Sequence, residues 1–312
     1  MDQITVFAPA SVANVSCGFD ALGFCLETVG DVFHIKKTDE KGIQFKEIIG
    51  QELPLDPKKN VAGVAAQALL NQYPANCGFE ITLTKGIKPG SGIGSSSASA
   101  VGIVYALNEL MGLGLSKRDL LPFALEGEML ASQAAHADNI APALLGGFTL
   151  VRSLDPMDIA SIPSPPELYA AVIHPHIELK TAEARKVLSK TVAFKDSIQQ
   201  SANLGALVSG LYSADYNLIS RSLEDLLVEP KRAPLIPHFG EIKQAALDAG
   251  ALGAGISGSG PSVFALTQGK ETAQKTANAM AHVMQATSIP FDAFVSAINS
   301  QGTLTMNVDE IL

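Results

Sequence analysis

Pro89-Gly90-Ser91-Gly92-Ile93-Gly94-Ser95-Ser96-Ser97-Ala98-Ser99-Ala100 is the stretch on which the reading of this chain turns. Upstream, Phe79-Glu80-Ile81-Thr82-Leu83-Thr84 alternates apolar and polar residues, the period of a half-buried strand. Downstream, Ala100, Ile103, Val104, Leu107, Leu110 and Met111 recur at helical spacing, and Gly112 is a natural stop. The glycines and serines therefore lie between a strand and the first turn of a helix. Glycine lets the backbone turn its amides inward without a Cβ in the way. The helix start adds free N–H groups and a partial positive charge. Together they make a cradle for an anion, phosphate before any other, in preference to a flexible turn with serine caps. No lysine precedes the serines, so this is not a Walker A loop. A triphosphate here would be held by backbone amides, hydroxyls and a metal ion.

The 312 residues are enough for one large domain or two medium ones with a substantial core. Hydrophobic residues make up 47% and charged residues 17%, a globular balance. A net charge of −9 argues against nucleic acid or an anionic membrane as partner, but leaves room for a nucleotide in a local cradle. No apolar run spans a bilayer and the first residues lack the pattern of a secretion signal, so a cytoplasmic protein is expected. Cys17, Cys25 and Cys77 show no metal-type spacing and read as reduced thiols. His174 and His176 flank Pro175 without a ligand cluster nearby in sequence, and read as a loop feature rather than a zinc site.

Along the chain, residues 4–8 read as a strand ending at Pro9, followed by a polar segment of small residues to Asp20. Residues 21–26 and 31–35 resume strand patterns, and 60–70 is a helix with Val61, Val64, Ala65, Ala68 and Leu69 on one face. Ser116 with Asp119 forms a capping box for a helix towards Glu126 and Glu128. Residues 136–142 read as a turn and 144–151 as a strand. Residues 162–166, with three prolines, are the best linker. Beyond it come a strand over 168–173, a short helix over 181–188, longer helical patterns to about 227, a helix over 241–249, glycines at 253–260, a strand over 262–267, a helix over 271–285 and a strand over 292–298. Strands and helices mix without regular alternation, which favours an α+β fold over a doubly wound sheet.

Three segments, residues 9–20, 89–100 and 253–262, together resemble the signature segments of the GHMP small-molecule kinases, over most of the chain. The first is similar to the homoserine kinase branch, as are His136-Ala137-Asp138-Asn139-Ile140-Ala141-Pro142, Thr181-Ala182-Glu183-Ala184-Arg185 and Glu229-Pro230-Lys231-Arg232. Val15, Ser16 and Cys17 depart from the Leu-Gly-Pro usual there, and Ser97 replaces a usual alanine. The resemblance implies a two-domain α+β fold. The N-terminal domain, 1–162, would be like domain 2 of ribosomal protein S5, the C-terminal domain, 167–312, ferredoxin-like, and the site would lie between them.

It also implies transfer of the ATP γ-phosphate to the hydroxyl of L-homoserine. Pro89, Gly90, Ser91, Gly92, Ile93, Gly94, Ser95, Ser96, Ser97 and Ala98 would bind ATP. Ser96 and Glu128 would lie beside Mg²⁺, with Glu126 on another side of its helix and structural. Arg185 and Arg232 would clamp the substrate carboxylate, as a guanidinium fork suits. Asn14, Asp20, His136 and Asp138 would serve the ammonium end, and Asn139 would touch the acceptor hydroxyl, with the metal and phosphates activating it in place of a base. Gly255, Ser257, Gly258, Ser259 and Gly260 would close the cleft, in a tight helix-to-strand turn. A homodimer is the family's expectation.

Other readings are weaker. A mevalonate-type member of the same superfamily would not need both charges of an amino acid matched. A non-catalytic nucleotide-binding regulator could dispense with Glu128 and the arginines. Gly253-Ala254-Gly255-Ile256-Ser257-Gly258 has the form of a dinucleotide motif, but a strand follows where a helix is needed. No Gly-x-Ser-x-Gly occurs, against a serine hydrolase.

Overall fold

The computed structural model describes residues 1–132 and 136–306. Residues 307–312 of the expected second domain lie outside it. Among the described residues, one mixed sheet has seven strands: β1 (Gln3–Ala13), β2 (Leu22–Thr38), β3 (Gly42–Ile49), β4 (Gly78–Thr84), β5 (Phe148–Leu154), β6 (Met157–Ile162) and β11 (Leu304–Thr305). Its order is β11-β1-β2-β4-β3, with β5 bridging β2 and β6. Helices α1 (Val61–Gln72), α2 (Ser95–Met111) and α4 (Ala137–Leu145) pack with it, and α3 (Lys117–Ser132) packs on those helices. The second sheet is antiparallel, in the order β10-β7-β9-β8: β7 (Leu168–Pro175), β8 (Gly253–Ile256), β9 (Val263–Gln268) and β10 (Phe291–Ala297). It is accompanied by α5 (Thr181–Lys186), α6 (Phe194–Ser213), α7 (Tyr216–Ser222), α8 (Glu229–Arg232), α9 (Phe239–Asp248) and α10 (Lys270–Gln285).

The mixed α+β content matches expectation, but several elements differ in a way physics explains. β1 does not end at Pro9. It continues to Ala13 through a register shift: Pro9 still faces Gly30 while Ser11 faces Cys25, so the extra residues bulge out on the β2 side. The two short strands expected over 21–35 are one long strand, β2. The third glycine segment begins as a strand, β8, before it turns. Residues 137–145 are a helix where a turn was expected. Pro142 cannot donate to the Asp138 carbonyl one turn back. That carbonyl lies against Gly23 of β2 so closely that a Cβ there would come within 1.9 Å of its oxygen. Close packing on the sheet thus holds the helix that local signals argued against. β11, finally, returns residues 304–305 to the first sheet, beside β1.

Phe24, Phe33, Phe79 and Phe148 are fully buried in the first layer. Phe264 of β9 reaches Phe24 edge-on, ring centroids 6.0 Å apart, so the two sheets share core at their junction. Cys17 and Cys25 are buried free thiols, and burial pushes both pKa values up to about 12. Neither is a nucleophile in this state.

Candidate active site

A cleft of about 530 Å³ lies where the sheets meet. Pro89, Gly90, Gly92, Gly94, Ser95 and Ser96 line it from the glycine loop, while Gly90, Gly92 and Gly94 all have positive φ. Gly94 is the N-cap of α2, in the left-handed region (φ 71°), with no side chain capping the helix. A Cβ on Gly94 would come within 2.1 Å of Ser11 Oγ, so only glycine fits there. Uncapped amides at the head of a helix beside a cleft are the arrangement that can hold an anion.

The serines divide differently from expectation. Ser95 Oγ donates to Ile87 O (2.9 Å), Ser97 Oγ to Glu128 Oε2 (3.0 Å) and Ser99 Oγ to Asp31 Oδ2 (3.3 Å). Three hydroxyls are thus used to seat α2, and Ser96 is the one of this run left to serve a ligand. Ser91, Ile93, Ser97 and Ala98, expected to contact ATP, are buried and do not line the cleft. Ile93 and Ala98 belong to the core, because alternate positions of a tight loop over a helix must face inward. The third segment works mainly as a brace. Gly258 and Ser259 line the cleft, whereas Gly255, Ser257 and Gly260 do not. Ser257 Oγ donates to Gly92 O (2.7 Å), and Ser262 Oγ and N both donate to Ser91 O.

At the other end, Asn14, Asp20, Glu128, His136, Asp138, Asn139, Arg185 and Arg232 all meet the cleft, though they come from both ends of the chain. Glu126 is exposed and Glu128 buried. Arg185 Nη2 donates to both oxygens of Asp20 (2.8 and 2.9 Å) and lies 3.2 Å from His136 Nε2. The expected carboxylate clamp and ammonium partner therefore pair with one another, as adjacent opposite charges do. Arg232 is 2% exposed and donates to Ala184 O and Gly258 O. Asn14 spends its amide on backbone: Nδ2 donates to Gly258 O (2.7 Å) and Oδ1 accepts from Asp20 N (3.0 Å). Asn139 Oδ1 accepts from Ser11 Oγ (2.8 Å). Asp138 is 4% exposed, and burial, then repulsion from Asp20 and Glu128, raises its pKa to about 7. Burial first, against Asp20, and with help from both arginines, lowers that of His136.

Some groups at the cleft carried no recognisable signal. Lys85 and Asp31 form a buried ion pair behind the glycine loop. Lys85 Nζ also donates to Ser95 O (2.8 Å), and Asp31 accepts from Ile87 N (3.2 Å). Burial drives each towards its neutral form and their pairing opposes it. A lysine ending an alternating strand reads as solvated, which is why sequence missed it. Phe19 is covered by both guanidiniums, Arg185 at 5.5 Å and Arg232 at 5.0 Å from its centroid. Leu53, Pro54 and Val61 add apolar lining to the cleft, beside Lys59 and Asn60.

The geometry can now be set beside known proteins. Residues 60–147 match the model of the GHMP kinases N-terminal domain, and 206–286 that of the GHMP kinases C-terminal domain. A homoserine kinase of Chloroherpeton thalassium is 45% identical, across 97% of this chain and 99% of its own. The chain belongs to the homoserine kinase family of GHMP kinases. A crystal structure of homoserine kinase from Cytophaga hutchinsonii is similar with a TM-score of 0.95 and 50% identity over 98% of both chains. A mevalonate kinase from L. major, crystallised with R-mevalonate, is 17% identical with a TM-score of 0.74, and shares the fold alone. The family's two-domain GHMP fold is thus the fold of this chain. Of the residues that depart from the family's usual first motif, Val15 and Ser16 have positive φ (39° and 58°), following Asn14 (72°), which keeps to the motif. Each such residue costs about 1–2 kcal/mol. The turn is held by Gly18 N donating to Asn14 O and by the Asn14 amide on Gly258.

Proposed function

We infer that the protein is a homoserine kinase, transferring the γ-phosphoryl group of ATP to the hydroxyl of L-homoserine in the formation of threonine. One observation carries this: two arginines and a buried aspartate share a cleft with an uncapped helix N-terminus. An amino acid brings a carboxylate, an ammonium and a hydroxyl, and each finds a partner of the right sign. The substrate carboxylate takes Arg185 and Arg232. Its ammonium takes Asp138 and Asp20. A zwitterion can replace the Arg185–Asp20 pair charge for charge, so neither group is left uncompensated. Asn14 and Phe19 act through the others, fixing Asp20 and the two guanidiniums.

The triphosphate lies against the α2 amides and Ser96, with the nucleoside towards Leu53, Pro54 and Val61. Catalysis of this class is positioning and charge neutralisation more than covalent work. Asn139, oriented by Ser11, holds the acceptor hydroxyl. Mg²⁺ is part of this proposal: Ser96 and Glu128 offer the oxygens a hard cation takes, and Ser97 orients the Glu128 carboxylate. When bound it would offset the charge of the phosphates. The proposal includes the cytoplasm as compartment and a homodimer as assembly. Among the described residues no helix is long and apolar enough to cross a membrane.

ADP release, followed by a coupled assay with homoserine, threonine, serine and mevalonate, each with and without Mg²⁺, tests the reading. Turnover should require homoserine and the metal. Equal turnover with mevalonate, or ADP release that no acceptor stimulates, refutes it.

A further inference from the structure

His174 lies near the end of β7, and His176 follows just beyond the strand's last residue, Pro175. Sequence offered them no third ligand. The fold supplies one: in the β7–β10 register His174 is directly opposite Asp292, 118 residues further on. His176 N donates to Pro290 O (2.7 Å), which keeps the second histidine beside β10 after the strand ends. Both imidazoles converge on the same carboxylate oxygen. His176 Nε2 lies 2.7 Å and His174 Nδ1 3.4 Å from Asp292 Oδ2, and the three atoms all fall within 4.8 Å of one another.

We propose that His174 Nδ1, His176 Nε2 and Asp292 Oδ2 form a site for a borderline divalent cation of the Zn²⁺ type, separate from the nucleotide cleft. A tetrahedral ion with bonds of about 2.0–2.1 Å needs its ligand atoms about 3.3 Å apart. The His174 contact is already at that spacing, and the His176 contact needs to open by about 0.6 Å. Two nitrogens and one carboxylate oxygen suit Zn²⁺, Co²⁺ or Ni²⁺, whereas Mg²⁺ prefers oxygen alone. Burial, opposed by Asp292, lowers the pKa of His174, in the direction of the neutral form that a metal ligand uses. The charged neighbour opposing a cation is Lys88, which is exposed and therefore screened. His176 and Asp292 are partly exposed, giving an ion access and leaving its fourth position to water. Occupancy would tie β7 to β10 two residues before Glu178, where the chain begins to line the cleft.

The full chain, titrated with Zn²⁺ against a chromophoric chelator in excess Mg²⁺, should take one tight equivalent. His176→Ala and Asp292→Asn should each weaken it by about 100-fold or more, since even an indirect partner of a metal ligand is worth 10–100-fold. His136→Asn, in the cleft, should leave it unchanged. ¹⁵N spectra should show Zn²⁺ shifting Nδ1 of His174 and Nε2 of His176, a readout independent of affinity. Uptake unchanged in both site variants, no tight equivalent in the wild type, or shifts at other nitrogens would overturn the assignment.

Discussion

Asp138→Asn separates binding from chemistry, and its magnitude can be worked from the structure. The carboxyl is buried at the wall of the cleft, and its pKa rises from an ordinary 3.8 to about 7. A group whose folded pKa lies above its unfolded one stabilises the fold below the unfolded value and loses that contribution as pH rises through the folded one. Above pH 7 the ionised Asp138 therefore costs the unliganded fold about 4 kcal/mol, three pKa units at about 1.4 kcal/mol each. An asparagine has the same shape and no charge. Urea unfolding should find the variant no more stable than wild type below about pH 3.8, more stable by about 2 kcal/mol at pH 5, and by up to about 4 kcal/mol at pH 8. Substrate ammonium should reverse this balance, because it needs the ionised form. Wild-type KM for homoserine should rise as pH falls below 7, towards tenfold per unit, while the variant should have a high, pH-independent KM with kcat largely kept. A pKa near 7 is also what a general base needs, so the alternative is explicit. If kcat collapses at unchanged KM, or the stability difference does not depend on pH between 5 and 8, the reasoning fails.

Lys85→Met should leave Asp31 as an unpaired buried carboxylate and destabilise the chain by about 3–5 kcal/mol, with Lys85→Met/Asp31→Leu recovering much of it in urea unfolding. Gly94→Ala should place a methyl group against Ser11 Oγ and within 3.1 Å of Asn139 Oδ1 in a left-handed conformation, weakening ATP binding in calorimetry and, by displacing Asn139, lowering kcat with homoserine as well. Arg185→Lys keeps the charge but loses the fork. It should raise KM for homoserine by about 10–100-fold, the worth of a hydrogen bond to a charged group, with little change in KM for ATP.

What the residues disclosed without a structure was local: the strand, glycine turn and helix of 79–112, the capping box at Ser116, the α+β mixture, and three motifs in family order. These are properties of neighbouring backbone conformations and of hydrophobic period, which a few residues encode. The fold alone decided where each side chain spends its hydrogen bonds. Packing turned three of the serines at 95–99 inward and buried Lys85 on Asp31. It set Arg185 against Asp20, carried a helix through Pro142 over Gly23, and brought Asp292 to a histidine pair that looked solitary. Such partners lie up to hundreds of residues apart, and only the pairing of strands and the closing of two layers on one another puts them within 3 Å.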